Sequence, residues 1–373
     1  MRGDPVYVNS ERSFPRPSAR ARNGTNRKGS RTIERRTFIL SVAHVAMTPR
    51  YAFSQDGGAW PRWRDRFLSG DGRVIDDDNG RISHSEGQGF GALLAQAHGD
   101  REAFELIEDW TRRNLLVRQD SLMGWRWNAS TGVADEDWHT ATDGDLFRAW
   151  ALLRAERDSG WPVNAGLYQD IARDIVSLCL RPDPRAPGSP LLTPGAEARS
   201  DPDRILFNPS YIMPRALREL GLAIEKPELL AAADHGETVL AELAALHPLP
   251  DWIDVTATGF ATPAEHALRS GYDALRVPLY LSWSGRRSHP AVLRGTETLM
   301  SASLPGHLAV NVTLEGKVLA QSDQPGYRAI ADLARCREVK ISAEQMDRQS
   351  YYPATLGLLA QIARADAGDC MPK

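Results

Sequence analysis

The chain has 373 residues, of which 42% are hydrophobic and 25% are charged, so it is long enough to bury a sizeable core as one large or two medium domains. Its 45 basic and 48 acidic residues give a net charge of -3, which excludes the strong basic footprint of a protein that binds nucleic acid or an anionic membrane. A neutral or weakly charged substrate fits this charge balance better.

The first part of the chain has the composition of a leader. Residues 1–33 are rich in Arg, Ser, Pro, Asn and Gly, which predicts disorder. The pair Arg35-Arg36 and the short apolar stretch that follows predict a twin-arginine export signal, with a cleavage site near Ala52-Phe53-Ser54. The alternative is a basic tail followed by a helix. We therefore predict a leader and signal peptide over 1–54, one catalytic domain over 55–373, and a periplasmic or secreted protein.

Amphipathic segments with a helical period follow in chain order. In residues 101–116, for example, Phe104, Ile107 and Trp110 lie near one face. Short extended pieces at 125–128 and 308–314 and a long polar connection at 181–203 interrupt the pattern. About eleven helices are predicted, at 63–68, 87–98, 101–116, 143–157, 164–180, 214–223, 227–246, 274–284, 290–304, 327–337 and 343–367. This pattern predicts an all-α domain of stacked helical hairpins, for which a closed α/α toroid is the natural form.

The chain has three cysteines, Cys179, Cys336 and Cys370, without the short spacings that suit zinc or a redox dithiol. No metal or other cofactor is expected. In an oxidising compartment Cys336 and Cys370 could form a disulfide, whereas widely spaced cysteines are more often buried thiols.

The most informative motif is Ser83-His84-Ser85-Glu86-Gly87-Gln88-Gly89-Phe90-Gly91. Ser83 and Glu86 have the spacing of a helix capping box, which is a purely structural explanation for both residues. A capping box does not require glycine at alternate positions, where each glycine weakens a helix. The glycines instead favour close approach of a bulky ligand to the backbone, with Glu86 as a functional carboxylate.

Two further acidic segments have the same two interpretations. Asp143 and Asp145 precede an apolar helix, where the helix dipole alone favours carboxylates. Asp273 lies three residues before Arg276, which is the spacing of an ion pair, whether on the surface or in a site.

Aromatic residues add to the pattern. Trp125 and Trp127 are two apart and would project to one side of an extended segment. Indole faces suit stacking on pyranose rings, although most tryptophans fill cores. Tyr211 and Tyr352 supply phenols near the same chemistry.

In order along the chain, four motifs resemble those of the family-eight glycoside hydrolases, a bacterial endoglucanase group that includes enzymes encoded with cellulose synthases. The first motif runs from Ser85 to Gly91, the second from Ala141 to Leu146, the third from Asn208 to Tyr211 and the fourth from Tyr272 to Pro278. The resemblance covers roughly residues 58 to 365. It implies an (α/α)6 barrel that inverts the anomeric carbon of a β-1,4-glucan such as cellulose.

Residue roles follow from this resemblance. Glu86 is assigned as the general acid and Asp273 as the general base, because an inverting glycosidase needs one protonated and one ionised carboxyl group. A helix N-terminus favours the carboxylate form, so a nearby Asp143 and partial burial would have to keep the proton on Glu86.

The remaining candidates support these two carboxyl groups. Asp143 is expected to bond the sugar at the cleavage point, and Arg276 to keep Asp273 ionised and oriented. Tyr211 is placed by the resemblance near the nucleophilic water. Arg148 departs from the family pattern, since an apolar residue is expected there. The substrate-binding candidates are Trp125, Trp127, Gln88 and Tyr352.

Three hypotheses remain open at this stage. The first is an exported inverting endo-β-1,4-glucanase, a monomer with a functional link to a cellulose synthase and no nucleic-acid partner. The second is the same mechanism on xylan, mixed-linkage glucan or chitosan. The third is a glycan-binding protein that has lost catalysis.

Overall fold

A computed structural model describes residues 58–367; the predicted leader and signal peptide at 1–54 and Cys370 lie outside the described residues. The helices of this part of the chain are α1 (Ala59–Phe67), α2 (Ser85–Ala97), α3 (Arg101–Asn114), α4 (Thr142–Arg157), α5 (Ala165–Cys179), α6 (Pro214–Ala223), α7 (Pro227–Leu246), α8 (Arg276–Trp283), α9 (Pro290–Leu299), α10 (Pro325–Ala334), α11 (Ala343–Asp347) and α12 (Tyr351–Asp366). The strands are β1 (Ser83–His84), β2 (Arg126–Trp127), β3 (Leu180–Asp183), β4 (Ala186–Leu192), β5 (Ser200–Asp201), β6 (Arg204–Phe207), β7 (Ile253–Thr256), β8 (Gly259–Ala261), β9 (Leu308–Val312) and β10 (Val318–Ser322), and a 3₁₀ turn spans Pro209–Tyr211.

Alternate helices form a closed inner ring. Helix α2 packs against α4, α4 against α6, α6 against α8, α8 against α10 and α12, and α12 returns to α2. Helices α3, α5, α7 and α9 pack on the outside of α2, α4, α6 and α8. Helices α2, α4, α8 and α12 are buried along almost their whole length, as expected of an inner layer. This is the toroid of helical hairpins that the periodicity predicts.

Helix α3 illustrates why the outer helices form where they do. Asp100 caps its N-terminus by accepting a hydrogen bond from the Ala103 amide at 3.1 Å. Phe104 and Ile107 are buried against the barrel, while Arg101 faces water. One apolar stripe and one polar stripe therefore fix both the helix and its orientation.

The last predicted helix, 343–367, is divided into α11 and α12. Ser342 and Gln345 form a capping box that begins α11. Helix α11 ends at Asp347, and α12 begins at Tyr351, whose amide donates to the side chain of Asp77 at 2.9 Å. Because a distant carboxylate takes this amide, a new helix begins there, which the local periodicity did not reveal.

The described part of the chain contains more strands than its sequence pattern predicts. Strands β5 to β8 form an antiparallel sheet in that order, and β3 and β4 form a hairpin within the segment predicted as a polar connection. In β6, Ile205 and Phe207 are buried and pair with Val255 and Ile253 of β7. Strands β6 and β7 are far apart in sequence, so the few alternating buried and exposed residues of one strand were a weak signal for a sheet.

Several large aromatic side chains are buried in the hydrophobic core. Trp63, Trp150 and Trp283 are at most 1% exposed, and the rings of Trp150 and Trp283 meet edge to face at 5.1 Å. Cys179 is a buried free thiol and Cys336 is disulfide-bonded. Among the described helices, none combines the length and apolarity needed to cross a membrane.

Candidate active site

One guanidinium group joins three carboxylates from separate parts of the chain. Arg276, the first residue of α8, is 1% exposed. Its Nη1 contacts Glu86 and donates to Asp143 Oδ2 at 3.1 Å, and its Nη2 donates to Asp273 Oδ1 at 2.7 Å. Glu86 and Asp143 lie in the first turns of α2 and α4, so the barrel brings three helix N-termini to one point. All three carboxylates are buried, which excludes the surface ion pair considered for Asp273 and Arg276.

The helix that carries Glu86 is capped by histidine. His84 precedes α2, and its Nδ1 accepts the amide hydrogen of Gly87 at 2.9 Å. Ser83 instead donates to the carbonyl oxygen of Val74 at 2.5 Å. The predicted capping box of Ser83 and Glu86 is therefore wrong, which leaves the carboxylate of Glu86 free to meet Arg276.

The glycines after Glu86 serve packing between helices and not contact with a ligand. A Cβ at Gly89 would lie 2.9 Å from the carbonyl oxygen of Gly144, and one at Gly91 would lie 2.8 Å from a methyl group of Val74. Both glycines are buried. The explanation by ligand approach is thus wrong, because α4 fills the space beside Gly89, and Val74 fills the space beside Gly91.

Asp143 is placed to hold a proton near neutral pH. Burial raises its pKa to about 7, against the opposing effects of the Gly144 amide, the charge of His84 and the phenol of Tyr211. The Gly144 amide donates to Asp143 Oδ1 at 2.8 Å. Three carboxylates and one guanidinium thus form a cluster in which at least one carboxyl group readily retains a proton.

Asp273 is held through both of its oxygen atoms. Its Oδ1 accepts from Arg276, and its Oδ2 accepts from the side-chain amide of Asn208 at 3.2 Å. Ser210 donates to Asn208 Oδ1 and accepts from Arg276, each at 2.7 Å. Asn208 begins the third of the four motifs, but the sequence alone assigned it no role. Its contact with Asp273 depends on how the chain folds between the two residues.

Tyr211 lies over the same cluster. The guanidinium carbon of Arg276 is 5.7 Å from the centre of its ring. Burial and the charges of Asp143 and Asp273 raise the pKa of the phenol well above its usual value, so the hydroxyl group keeps its proton. Trp252, which the sequence analysis did not select, meets Tyr211 edge to face at 6.1 Å and stacks on His266 at 4.3 Å.

Trp125 and Trp127 flank the start of α2. The carbonyl oxygen of Trp125 accepts the Ser85 amide hydrogen at 2.8 Å, and Trp127 pairs with Ser83 in the β1–β2 ladder. Trp125 stays partly exposed beside His139. Trp127 packs its ring edge to face on Trp110 at 5.1 Å and lies beneath the guanidinium of Arg73. Both side chains are partly exposed, and the guanidinium of Arg126 lies over the Trp125 ring in turn.

Gln88 lies in the core and not in the cleft. It is 1% exposed; its Oε1 accepts from the Val74 amide at 2.6 Å, and its Nε2 donates to Thr111 at 2.9 Å. Since these partners are parts of the fold, the structure contradicts the expectation that Gln88 binds substrate.

Tyr352 lines a cavity of about 240 Å³ beside the cluster. Its hydroxyl group donates to the carbonyl oxygen of Tyr272 at 2.6 Å, directly before Asp273. Asp76, Asp78 and Gln321 also line this cavity. The placement is compatible with contact to a polar ligand.

The unexpected arginine of α4 has a partner. Arg148 donates to both oxygen atoms of Glu108 in α3, at 3.0 and 2.6 Å. Both side chains are buried, so the pair satisfies charges inside the barrel wall. Nearby, Asp145 accepts from the Met123 amide at 2.8 Å and from Thr140, and therefore secures the segment before α4.

Within the part of the chain that the structure describes, no group of His, Cys, Asp and Glu side chains is arranged to hold a metal ion.

Comparisons with known proteins identify the family to which the chain is similar. A model of the glycosyl hydrolases family 8 matches residues 35–366. A probable endoglucanase of Novacetimonas hansenii is 34% identical over 318 residues, covering 82% of this chain and 90% of the relative. An endoglucanase of Cellulomonas uda is also 34% identical, over 66% of this chain and 67% of its own length.

Solved structures extend the comparison to the fold. The crystal structure of endoglucanase Cel10, a family 8 glycosyl hydrolase from Klebsiella pneumoniae, superposes with a TM-score of 0.73 at 29% identity, covering 83% of this chain and 99% of that one. Endo-β-1,4-glucanase CMCax from Acetobacter xylinum gives a TM-score of 0.70 at 29% identity, over 83% and 97% of the two chains. The predicted (α/α)6 barrel is confirmed.

Proposed function

The chain belongs to the glycosyl hydrolases of family 8, and from this premise we propose how its carboxylates divide the reaction. The protein is an inverting, endo-acting glycoside hydrolase, and its substrate class is β-1,4-glucan. One observation carries the assignment of roles: Arg276 gathers Glu86, Asp143 and Asp273 in one buried cluster.

Glu86 acts as the general acid. In the transition state it gives its proton to the glycosidic oxygen, so that the leaving sugar departs as an alcohol. Burial raises the pKa of the adjacent Asp143 to about 7, so Asp143 itself binds a proton near neutral pH. The acid role of Glu86 is supported by the family resemblance and by its place in the first turn of α2, in contact with Arg276. Asp143 then bonds the sugar ring at the cleavage point and limits the charge that surrounds Glu86.

Asp273 acts as the general base. It removes a proton from a water molecule, whose oxygen forms the new bond to the anomeric carbon on the face opposite the leaving group. Bonds from Arg276 and Asn208 favour the ionised form and fix the plane of the carboxylate. The protonated phenol of Tyr211, whose ring lies against the guanidinium of Arg276, orients the water. After product release, Asp273 returns its proton to solvent and Glu86 is reprotonated.

The stereochemistry of the first product tests these roles. Proton NMR should follow the anomers that the purified protein releases from cellopentaose during the first minutes. Early α-anomer supports Glu86 and Asp273 as an acid and base pair acting through water. Early β-anomer would mean retention and would overturn this assignment. Xylo-oligomers, mixed-linkage glucan and chito-oligomers, measured in parallel, separate the alternative substrates.

We also propose that the protein is exported through the twin-arginine pathway. The pair Arg35-Arg36 and the apolar stretch after it support this proposal. Replacing both arginines by lysine should leave the protein in the cytoplasm when the cells are fractionated, while enzyme activity per folded molecule stays unchanged. Accumulation of the variant in the periplasm would contradict export by this route.

A functional link to a cellulose synthase is a further proposal, together with a monomeric state. The resemblance to enzymes encoded with cellulose synthases supports the link. Deleting the gene in its own host should change the amount or chain length of the cellulose produced, and light scattering should give the mass of one chain. Unchanged cellulose in the deletion strain would contradict the link.

A further inference from the structure

Asp251 holds the segment that carries Asp273 from both sides. Its Oδ1 accepts the amide hydrogen of Gly271 at 2.8 Å and that of Ala274 at 3.0 Å. We propose that Asp251 is a positioning residue that sets the direction of the general base, an inference that rests on the proposed function. Asp251 touches no reacting atom and acts through the backbone on which Asp273 is carried.

The backbone around Asp251 reinforces this contact. The amide of Asp251 donates to the carbonyl oxygen of Arg269 at 2.8 Å, so the two segments are joined by bonds in both directions. A Cβ at Gly271 would lie 2.7 Å from Asp251 Oδ2, so only glycine allows the carboxylate to come this close. The same turn continues into α8, because the Arg276 amide donates to the carbonyl oxygen of Asp273 at 3.0 Å. Asp251 therefore also fixes where α8 and Arg276 begin.

The charge of Asp251 strengthens its hold on these amides. Burial raises its pKa to about 6, while the amides of Ala274, Gly271 and Asp273 and the charge of Arg269 oppose that rise. The side chain is thus largely ionised at neutral pH, and hydrogen bonds to an ionised acceptor are the stronger ones. The charged or titratable side chains that act on it or feel its charge are Arg269, with Nε 3.7 Å from Oδ2, and Tyr272, whose pKa its charge helps to raise.

Two consequences follow for catalysis. Asn208 and Arg276 orient the carboxylate of Asp273, but the Cα position is set by the segment that Asp251 holds. A displacement of about 1 Å at such a group can reduce the rate on the order of 100-fold. D251N also removes one negative charge from beside the segment that carries Asp273, and a nearby negative charge disfavours the ionised form of a carboxyl group.

The variants D251N and D251A separate these effects. The asparagine keeps an acceptor oxygen and the side-chain volume but loses the charge, whereas alanine loses both. D183N is the matched control, because Asp183 is a buried carboxylate that accepts the Arg185 amide at 2.7 Å and contacts Arg185 and His235 outside the site.

For D251N we expect kcat on cellopentaose to fall about 10-fold with KM within about twofold, and for D251A about 100-fold. In D251N the acid limb of the pH profile of kcat/KM should move to lower pH. Amide hydrogen exchange in residues 269–276 should become faster in both variants. D183N should keep the wild-type kcat, acid limb and exchange of this segment.

The outcomes separate this inference from the proposed function. The positioning role would be overturned if D251N had the same kcat, the same acid limb and the same amide exchange in residues 269–276 as the wild type. This holds also if the Tm of D251N is lower. The asparagine variant decides the question where D251A does not fold. A wild-type protein that releases β-anomer, or cleaves none of the glycans, would instead overturn the proposed function.

Discussion

Gly144 lies against the backbone of Glu86. A Cβ added at Gly144 would lie 2.6 Å from the Glu86 nitrogen atom and 2.5 Å from the hydroxyl oxygen of Ser85. Helices α2 and α4 therefore touch at their N-termini, and the contact leaves no room for a side chain at Gly144. This contact brings Glu86 and Asp143 onto the same nitrogen atom of Arg276.

The closeness of these helices makes Gly144 intolerant of any side chain. In G144A the new methyl group would meet backbone atoms, which move only if α2 and α4 separate. Because Glu86 moves with α2, we expect kcat to fall on the order of 100-fold, together with a loss of about 1–3 kcal/mol in the free energy of unfolding. Steady-state kinetics and urea denaturation measure the two effects.

G188A is the control for this substitution. Gly188 lies in β4 with no atom within 4 Å of an added Cβ, so this variant should behave as the wild type. Full activity in G144A would show that the contact between the two helices does not place Glu86.

The E86Q variant should lose activity in a way that depends on the leaving group. Glutamine keeps the shape of the side chain but supplies no proton, so we expect kcat on cellopentaose to fall about 10²- to 10⁴-fold. A dinitrophenyl cello-oligoside needs no protonation and should lose far less. Initial rates on both substrates give the comparison, and E102Q, on the exposed surface of α3, is the matched control. Equal losses on both substrates would argue against an acid role.

Replacing Gln88 should affect stability and not substrate binding. Q88L keeps the approximate size of the side chain but leaves the buried Val74 amide without its acceptor, while the Thr111 hydroxyl group still donates to the Ile107 carbonyl oxygen. An unsatisfied buried polar group costs about 1–3 kcal/mol, so the free energy of unfolding should fall by about that amount. KM for cellopentaose should stay within about twofold of the wild type. A large rise in KM with an unchanged free energy of unfolding would contradict this prediction and indicate that Gln88 binds substrate.

Asp145 gives a prediction for pH. Burial raises its pKa to about 7, so the folded state binds this proton more tightly than the unfolded state does. Ionisation of Asp145 therefore reduces stability as the pH rises from about 4 to about 7. D145N removes this ionisation, so the Tm of D145N minus that of the wild type should become more positive across this window. Thermal denaturation at pH 4.5, 6 and 8 measures it, and a difference that does not change with pH would contradict the prediction.

The sequence by itself determined the helices and the candidate carboxylates. Periodicity and caps depend on residues within a few positions of one another, so α3, α4 and α7 could be located from local pattern alone. The order of four short motifs identified Glu86, Asp143, Asp273 and Arg276 as residues of one site. The predicted (α/α)6 barrel followed from the same motifs.

Only the tertiary structure decided how these residues act on one another. Three findings depend on contacts between distant parts of the chain. Three carboxylates share Arg276, Gln88 turns into the core, and Asp251 holds the segment that carries Asp273. The glycines after Glu86 suggested close approach of a ligand, whereas in the folded chain Gly89 faces α4 and Gly91 faces Val74. Local sequence fixes local conformation, whereas burial, hydrogen-bond partners and pKa values belong to the packed barrel, in which every segment limits the space of the others.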